Sequence, residues 1–105
     1  MIRRIPMFLS VLTVLLSATV SADEVPVASP AKVQVCVACH GENGIATINS
    51  YPNLAGQNRD YLIAALKAYK NRERNGGLAG VMQQQAALLT EQDITEMAEY
   101  YSKLD

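Results

Sequence analysis

Residues 36–41 read Cys-Val-Ala-Cys-His-Gly, "CVACHG", and this stretch decides the fold. The chain has two cysteines and one histidine, and all three lie in these six residues. Cysteines at i and i+3 share one face of a helix. The histidine follows the second cysteine directly. Every cysteine and histidine this protein owns is therefore presented from one short stretch of chain.

The residues before the motif set the compartment. Arg3 and Arg4 precede an apolar run from Phe8 to Leu16, and Val20-Ser21-Ala22 supplies the small residues a signal peptidase reads. That order is a secretory signal, predicted to be cleaved after Ala22. The alternative is a transmembrane anchor, but the run falls well short of the roughly 20 residues that span a bilayer. Residues 1–22 are thus expected to leave, with no membrane anchor remaining, and residues 23–105 form one domain in the periplasm.

The mature chain is 83 of the 105 residues, and loss of Arg3 and Arg4 leaves seven basic residues against ten acidic, a net of −3. No basic stripe remains, so nothing suggests nucleic-acid binding. The only Phe is in the signal, and there is no Trp, so five tyrosines are the whole aromatic stock. A domain this small with so thin a core usually needs a disulfide, a metal or a cofactor.

Four readings of the two cysteines compete. Export permits a disulfide, but a bridge over two intervening residues constrains little chain. A redox Cys-x-x-Cys pair normally sits in a βαβ setting, and no strand pattern precedes it. A zinc site wants four ligands, so Asp or Glu would have to complete the three here. The remaining reading is covalent haem attachment, for which Cys-x-x-Cys-His is the signature. Cys36 and Cys39 would then hold the porphyrin, and His40 would be carried under the iron as the proximal ligand.

The rest of the chain reads as short helices and loops, with no strand or repeat. Ser29-Pro30 resembles an N-cap followed by Pro at the first helical position, opening a helix over about 30–39. Gly41 and Gly44 allow a turn and a close approach to a flat ligand. Residues 45–57 are irregular, broken by Pro52, Asn53 and Gly56. Asn58 is placed to cap a second helix, whose apolar stripe is Tyr61, Leu62, Ala65, Leu66 and Tyr69. Lys67, Lys70, Arg72 and Arg74 gather at its end, as solvated charges or as a surface that steers acidic partners. Asn75-Gly76-Gly77 breaks that helix, and a short helical stretch covers Met82 to Leu88. Thr90 and Asp93 form a capping-box pair opening the last helix, with Ile94, Met97, Ala98, Tyr101 and Leu104 as its buried stripe.

These pieces together resemble a class I cytochrome c of the short bacterial mono-haem form, similar to one half of the di-haem periplasmic cytochromes. The matching segments are "CVACHGENG", "YPNLAGQ", "YLIAALKAY", Met82 in a loop, and "LTEQDITEMAEYYSKL", over about residues 30–104. The resemblance implies a mainly α fold, three to five short helices wrapped around one covalently attached haem c. It implies thioether bonds from Cys36 and Cys39, the proximal nitrogen from His40, and a Pro52 carbonyl holding the other imidazole nitrogen. Leu54 would pack on the haem and Met82 would be the distal ligand. The iron's protein ligands would be His40 and Met82.

Met82 also follows from the residues themselves. One histidine excludes bis-His ligation within the chain. Of the two mature methionines, Met97 lies on a helical stripe, where methionine is more often core filler. Met82 lies after a glycine-rich loop and is free to approach the iron. Two protein ligands close both axial positions, so electron transfer rather than catalysis is expected. The implied partners are redox proteins of the respiratory chain, a quinol-oxidising complex as donor and a terminal oxidase or reductase as acceptor. The rival functions are a haem subunit held permanently by an enzyme such as a flavoprotein dehydrogenase, and a ligand-binding or peroxidase protein with an open sixth site.

Overall fold

The computed structural model describes residues 10–19 and 29–105. The cleavage site after Ala22 and the proline at position 26 lie outside the described residues. Residues 10–19 form no regular element, and Val11, Leu12, Val14, Leu15 and Leu16 are exposed. Among the described residues, no helix is long and apolar enough to cross a membrane.

Four α-helices follow, and no strand occurs among the described residues. A 3-10 turn, Ala31–Val33, runs into α1, Gln34–His40. After a long irregular segment come α2, Arg59–Lys70; α3, Ala79–Ala87; and α4, Glu91–Ser102. Helix α2 packs against both α3 and α4. The mainly helical, three-to-five-helix expectation matches this architecture.

Local chemistry explains most of the boundaries, and three differ from the sequence reading. Pro30, not Ser29, occupies the cap position, because its carbonyl accepts the Val33 N–H at 3.0 Å and starts a 3-10 turn. Asn58 stands at the start of α2, but its side chain makes no cap bond; its carbonyl accepts the Leu62 N–H at 3.0 Å. Helix α3 begins at Ala79, three residues before the predicted start at Met82, so Met82 lies inside the helix and not in the loop of the resemblance. Gly80 is tolerated near the start of α3. The Gln83 side-chain amide ties the helix to the preceding segment by donating to the Arg74 carbonyl at 2.9 Å and to Asn75 Oδ1 at 2.8 Å. One isolated glycine costs only about 1 kcal/mol in a helix, and packing on α2 outweighs it.

The last helix forms as its sequence dictates. Thr90 Oγ1 accepts the Asp93 N–H at 3.1 Å, and Asp93 Oδ2 accepts the Thr90 N–H at 2.8 Å. Ile94, Met97, Ala98 and Tyr101 are buried on one face, with Leu104 partly buried beside them. Val33 is the anchor of the N-terminal turn. It is 2% exposed and packs with Leu62, Met97, Ala98 and Tyr101.

Lys32, next to that anchor, pairs with Asp93 across the two ends of the chain. The lysine and the Thr90 backbone N–H hold the Asp93 carboxyl down at about 2, against its ordinary 3.8. A depressed carboxylate favours the folded state above its unfolded pKa and loses that contribution as acid protonates it. Stability of the haem-loaded protein is therefore expected to fall between about pH 4 and about pH 2, the window set by those two values. Asp93→Asn should flatten that acid limb in denaturant titrations across the window. An unchanged slope would remove Asp93 from the account. Glu91, lowered by Lys67, and Glu99, lowered by Arg59 and Lys103, act in the same direction and remain in the variant.

Candidate functional site

Helix α1 ends on the site. Its last turn carries Cys36, Cys39 and His40, and Gly41 terminates it with φ +85° and ψ 154°. That conformation is essentially restricted to glycine. A Cβ at this position would also lie 1.9 Å from the Ile45 carbonyl oxygen, so no side chain fits. The chain reverses here, and Gly44, at φ +73°, offers its carbonyl to the N–H groups of Leu54 at 2.7 Å and Ala55 at 3.0 Å. Asn53 Oδ1 accepts the Ala46 N–H at 2.8 Å, and Gly56 donates to the Tyr101 carbonyl at 3.0 Å. The segment 52–56 is thereby tied to both the motif loop and α4.

This bracing sets Pro52. Its carbonyl oxygen lies 2.8 Å from His40 Nδ1. A carbonyl only accepts, so Nδ1 carries the proton, and in the neutral ring the Nε2 lone pair is free for a ligand. The His40 side chain is buried at 6% exposure, with the Tyr51 ring tilted nearby at 6.4 Å. Cys36 and Cys39 are free, half-buried thiols. Burial pushes the Cys36 thiol above its ordinary value; the neighbouring Tyr101 hydroxyl partly offsets this, and Cys39 adds to it.

All six residues singled out in the sequence border one cavity of about 490 Å³: Cys36, Cys39, His40, Pro52, Leu54 and Met82. Its walls are mostly aliphatic and aromatic. Helix α2 supplies Tyr61, Leu62, Ala65, Leu66 and Tyr69, α3 supplies Ala79, Val81 and Met82, and α4 supplies Met97, Ala98 and Tyr101. The volume is that of a small-molecule site. Met97 touches the cavity but is 2% exposed and packed within the core cluster, whereas Met82 is half-exposed.

The donor set fits a flat, apolar macrocycle carrying a metal. Two thiols and an imidazole nitrogen come from one helix end, and a thioether comes from another helix. A zinc site fits less well, since among the described residues no three His, Cys, Asp or Glu side chains gather to hold an ion. The cytochrome c family model matches residues 31–105.

The chain belongs to the cytochrome c family.

It is 45% identical over 71 residues to cytochrome c-554(548) of Halomonas halodenitrificans, spanning 68% of this chain and 86% of that protein. It is 35% identical over 69 residues to a protein of Stutzerimonas stutzeri named thiosulfate dehydrogenase electron acceptor, spanning 66% of this chain and 32% of that one. Among solved structures, reduced cytochrome c4 from Pseudomonas stutzeri superposes with a TM-score of 0.61 at 29% identity, over 67% of this chain and 38% of the other. The chain thus spans about a third of these longer relatives. Family membership brings a covalently bound haem c, and cytochromes of this family are electron carriers.

Some features of the site were not visible beforehand. Tyr61, on the apolar stripe of α2, is 50% exposed at the border of the cavity, whereas Leu62 on the same stripe is buried against Met97, Ala98 and Tyr101. Tyr101 also borders this region, on a stripe read only as core. The basic cluster is largely engaged within the molecule. Lys67 pairs with Glu91 at 2.8 Å, Lys70 donates to the Leu89 carbonyl, and the Arg74 guanidinium lies 4.8 Å over the Tyr69 ring.

Proposed function

We propose that this cytochrome is an exported, periplasmic one-electron shuttle between larger redox proteins, with its haem held by Cys36, Cys39, His40 and Met82. The supporting observation is the His40 Nδ1–Pro52 carbonyl bond of 2.8 Å in a cavity that Met82 also lines. When bound, haem c supplies an Fe(III)/Fe(II) couple. The chain's own residues do the rest. The Pro52 carbonyl orients the imidazole and raises its basicity. Met82 favours the reduced state relative to a second imidazole. With His40 and Met82 both holding the iron, no position would be left for a substrate, which is why the reading is transfer rather than catalysis. Leu54 and the α2 stripe keep water from the buried faces.

The segment 1–22 is read as the export signal, removed after Ala22, leaving 23–105 as the single haem domain. A quinol-oxidising complex is the proposed donor, and a terminal oxidase or reductase the acceptor. One observation favours a second reading, a haem subunit serving a particular redox enzyme. Val35, Leu78 and Val81 are apolar, exposed at 44–51%, and border the cavity. A relative is named as the electron acceptor of a dehydrogenase.

The deciding experiment expresses the full chain together with the haem-ligation machinery. The periplasmic fraction should contain a protein starting at Asp23. Its haem should stay with the chain through denaturing electrophoresis and stain there. Haem released on denaturation would defeat the covalent reading. A haem-stained band only in the cytoplasm would defeat export. Elution at monomer size supports the free shuttle, and constant co-elution with a larger enzyme supports the subunit reading instead.

A further inference from the structure

One polar side-chain atom in the core, the Tyr101 hydroxyl, stands apart from the ligand set. The Tyr101 hydroxyl is buried and makes no hydrogen bond to any described residue. The side chain is 2% exposed, at the border of the cavity. It is also fixed in place. The backbone of Gly44 approaches so closely that a Cβ there would lie 3.0 Å from Tyr101 Cδ1. Tyr100 closes the other side, its ring 5.1 Å away and edge-on at 71°. The Tyr101 carbonyl is held by the Gly56 N–H. A clamped phenol cannot swing out to water, so its hydroxyl must find a partner inside or pay the desolvation penalty.

The neighbours narrow the choice. The side chains of Val33, Leu62 and Ala98, which pack with Tyr101, offer no acceptor. Cys36 packs on the same cluster, and its sulfur and the Tyr101 hydroxyl perturb one another's titration. As a thiol, Cys36 can both donate and accept weakly. As a thioether it has no proton and can only accept. Attachment therefore removes one of the two ways the pair can meet, and a neutral phenol supplies the donor that remains. Burial, followed by the proximity of Cys36, pushes the Tyr101 hydroxyl well above its ordinary value and keeps it protonated.

We propose that Tyr101 is a positioning residue whose hydroxyl donates a hydrogen bond to the Cys36 sulfur in the haem-loaded protein. The bond fixes the first thioether bridge against α4 and couples the C-terminal helix to the attachment motif. It rests on attachment through Cys36, which is checked separately by the mass of the haem-bearing peptide.

The test is a double-mutant cycle on haem-loaded protein, with Tyr101→Phe, Cys36→Ala and the pair. Tyr101→Phe alone should lower the folding equilibrium constant about fivefold, the worth of an ordinary hydrogen bond. In the Cys36→Ala background the same change should be neutral or stabilising, since the phenol has already lost its acceptor. An equal cost in both backgrounds would assign the hydroxyl to another acceptor and overturn the proposal. So would a Tyr101→Phe protein as stable as the parent with both thioethers intact. Met97 is the other sulfur in the cluster, and a cost that disappears in Met97→Leu would likewise overturn it. A second readout needs no Cys36 variant. The ferrous protein should show one slowly exchanging phenolic proton, close to the methine of the bridge to Cys36 and absent in Tyr101→Phe. If the peptide mass shows Cys36 unattached, the attachment reading fails first, and this bond fails with it.

Discussion

Met82→Ala is expected to convert the carrier into a haem protein that binds carbon monoxide. Alanine has no donor atom, and His40 is the chain's only histidine, so no second imidazole is available to take the place of the thioether. The sixth position then opens to water or to an added ligand, and weak peroxidase turnover should appear with it. The reduction potential should fall, because the soft thioether favours the ferrous state. The drop is expected to be on the order of 0.1–0.3 V, a fraction of the roughly 0.8 V that axial ligands span. The methionine–iron band of the oxidised spectrum should vanish. Met97→Leu is the control. Met97 is 2% exposed among Val33, Leu62, Ala98 and Tyr101, and a swap of similar volume there should cost under about 1.5 kcal/mol and leave the band in place. If Met97→Leu abolishes the band while Met82→Ala preserves it, the distal assignment is wrong.

Removing the haem should have the larger effect on stability. The variant Cys36→Ala with Cys39→Ala, made without attached haem, is expected to be largely unfolded. Ile94 is the only large side chain that is fully buried among the described residues. Leu62 packs on α4, but much of the apolar face of α2 borders a cavity of about 490 Å³. At about 24 cal/mol per Å³, an apolar void of a tenth that volume already costs roughly 1 kcal/mol. A domain of this length has only about 4–12 kcal/mol to lose, at 0.05–0.15 kcal/mol per residue. Far-ultraviolet circular dichroism should therefore show little helix and no cooperative thermal transition. A cooperative melt near the midpoint of the haem-loaded protein would refute this.

Sequence alone made some elements legible because their information is local. Cys36, Cys39 and His40 need only helical spacing to share one face. The Thr90–Asp93 box satisfies orphan N–H groups within one turn, so α4 and its buried stripe could be drawn without any partner. Gly41 is placed where only a residue without a Cβ can pass the Ile45 carbonyl. Where the reading missed, the competing force came from outside the segment. The breakers in "NGGLAG" predict a helix opening no earlier than Met82. Packing on α2 and the Gln83 bonds to Arg74 and Asn75 carry the helix back to Ala79. Asn58 was expected to cap through its side chain, but its own N–H is taken by Gln57 Oε1 at 2.9 Å and only its carbonyl serves the helix.

By itself the sequence determined the helical class, the single attachment motif and the capped last helix, because each depends on contacts within a few residues. Tertiary structure decided the rest. It placed Met82 on α3 at the border of the cavity and shared the α2 stripe between the cavity and the packed core. It also set Val33 as the anchor of the N-terminal turn and enclosed the Tyr101 hydroxyl beside Cys36. These are meetings of residues far apart in the chain. They are fixed by close packing and by bonds such as Gly56 to Tyr101, for which a periodic pattern carries no address.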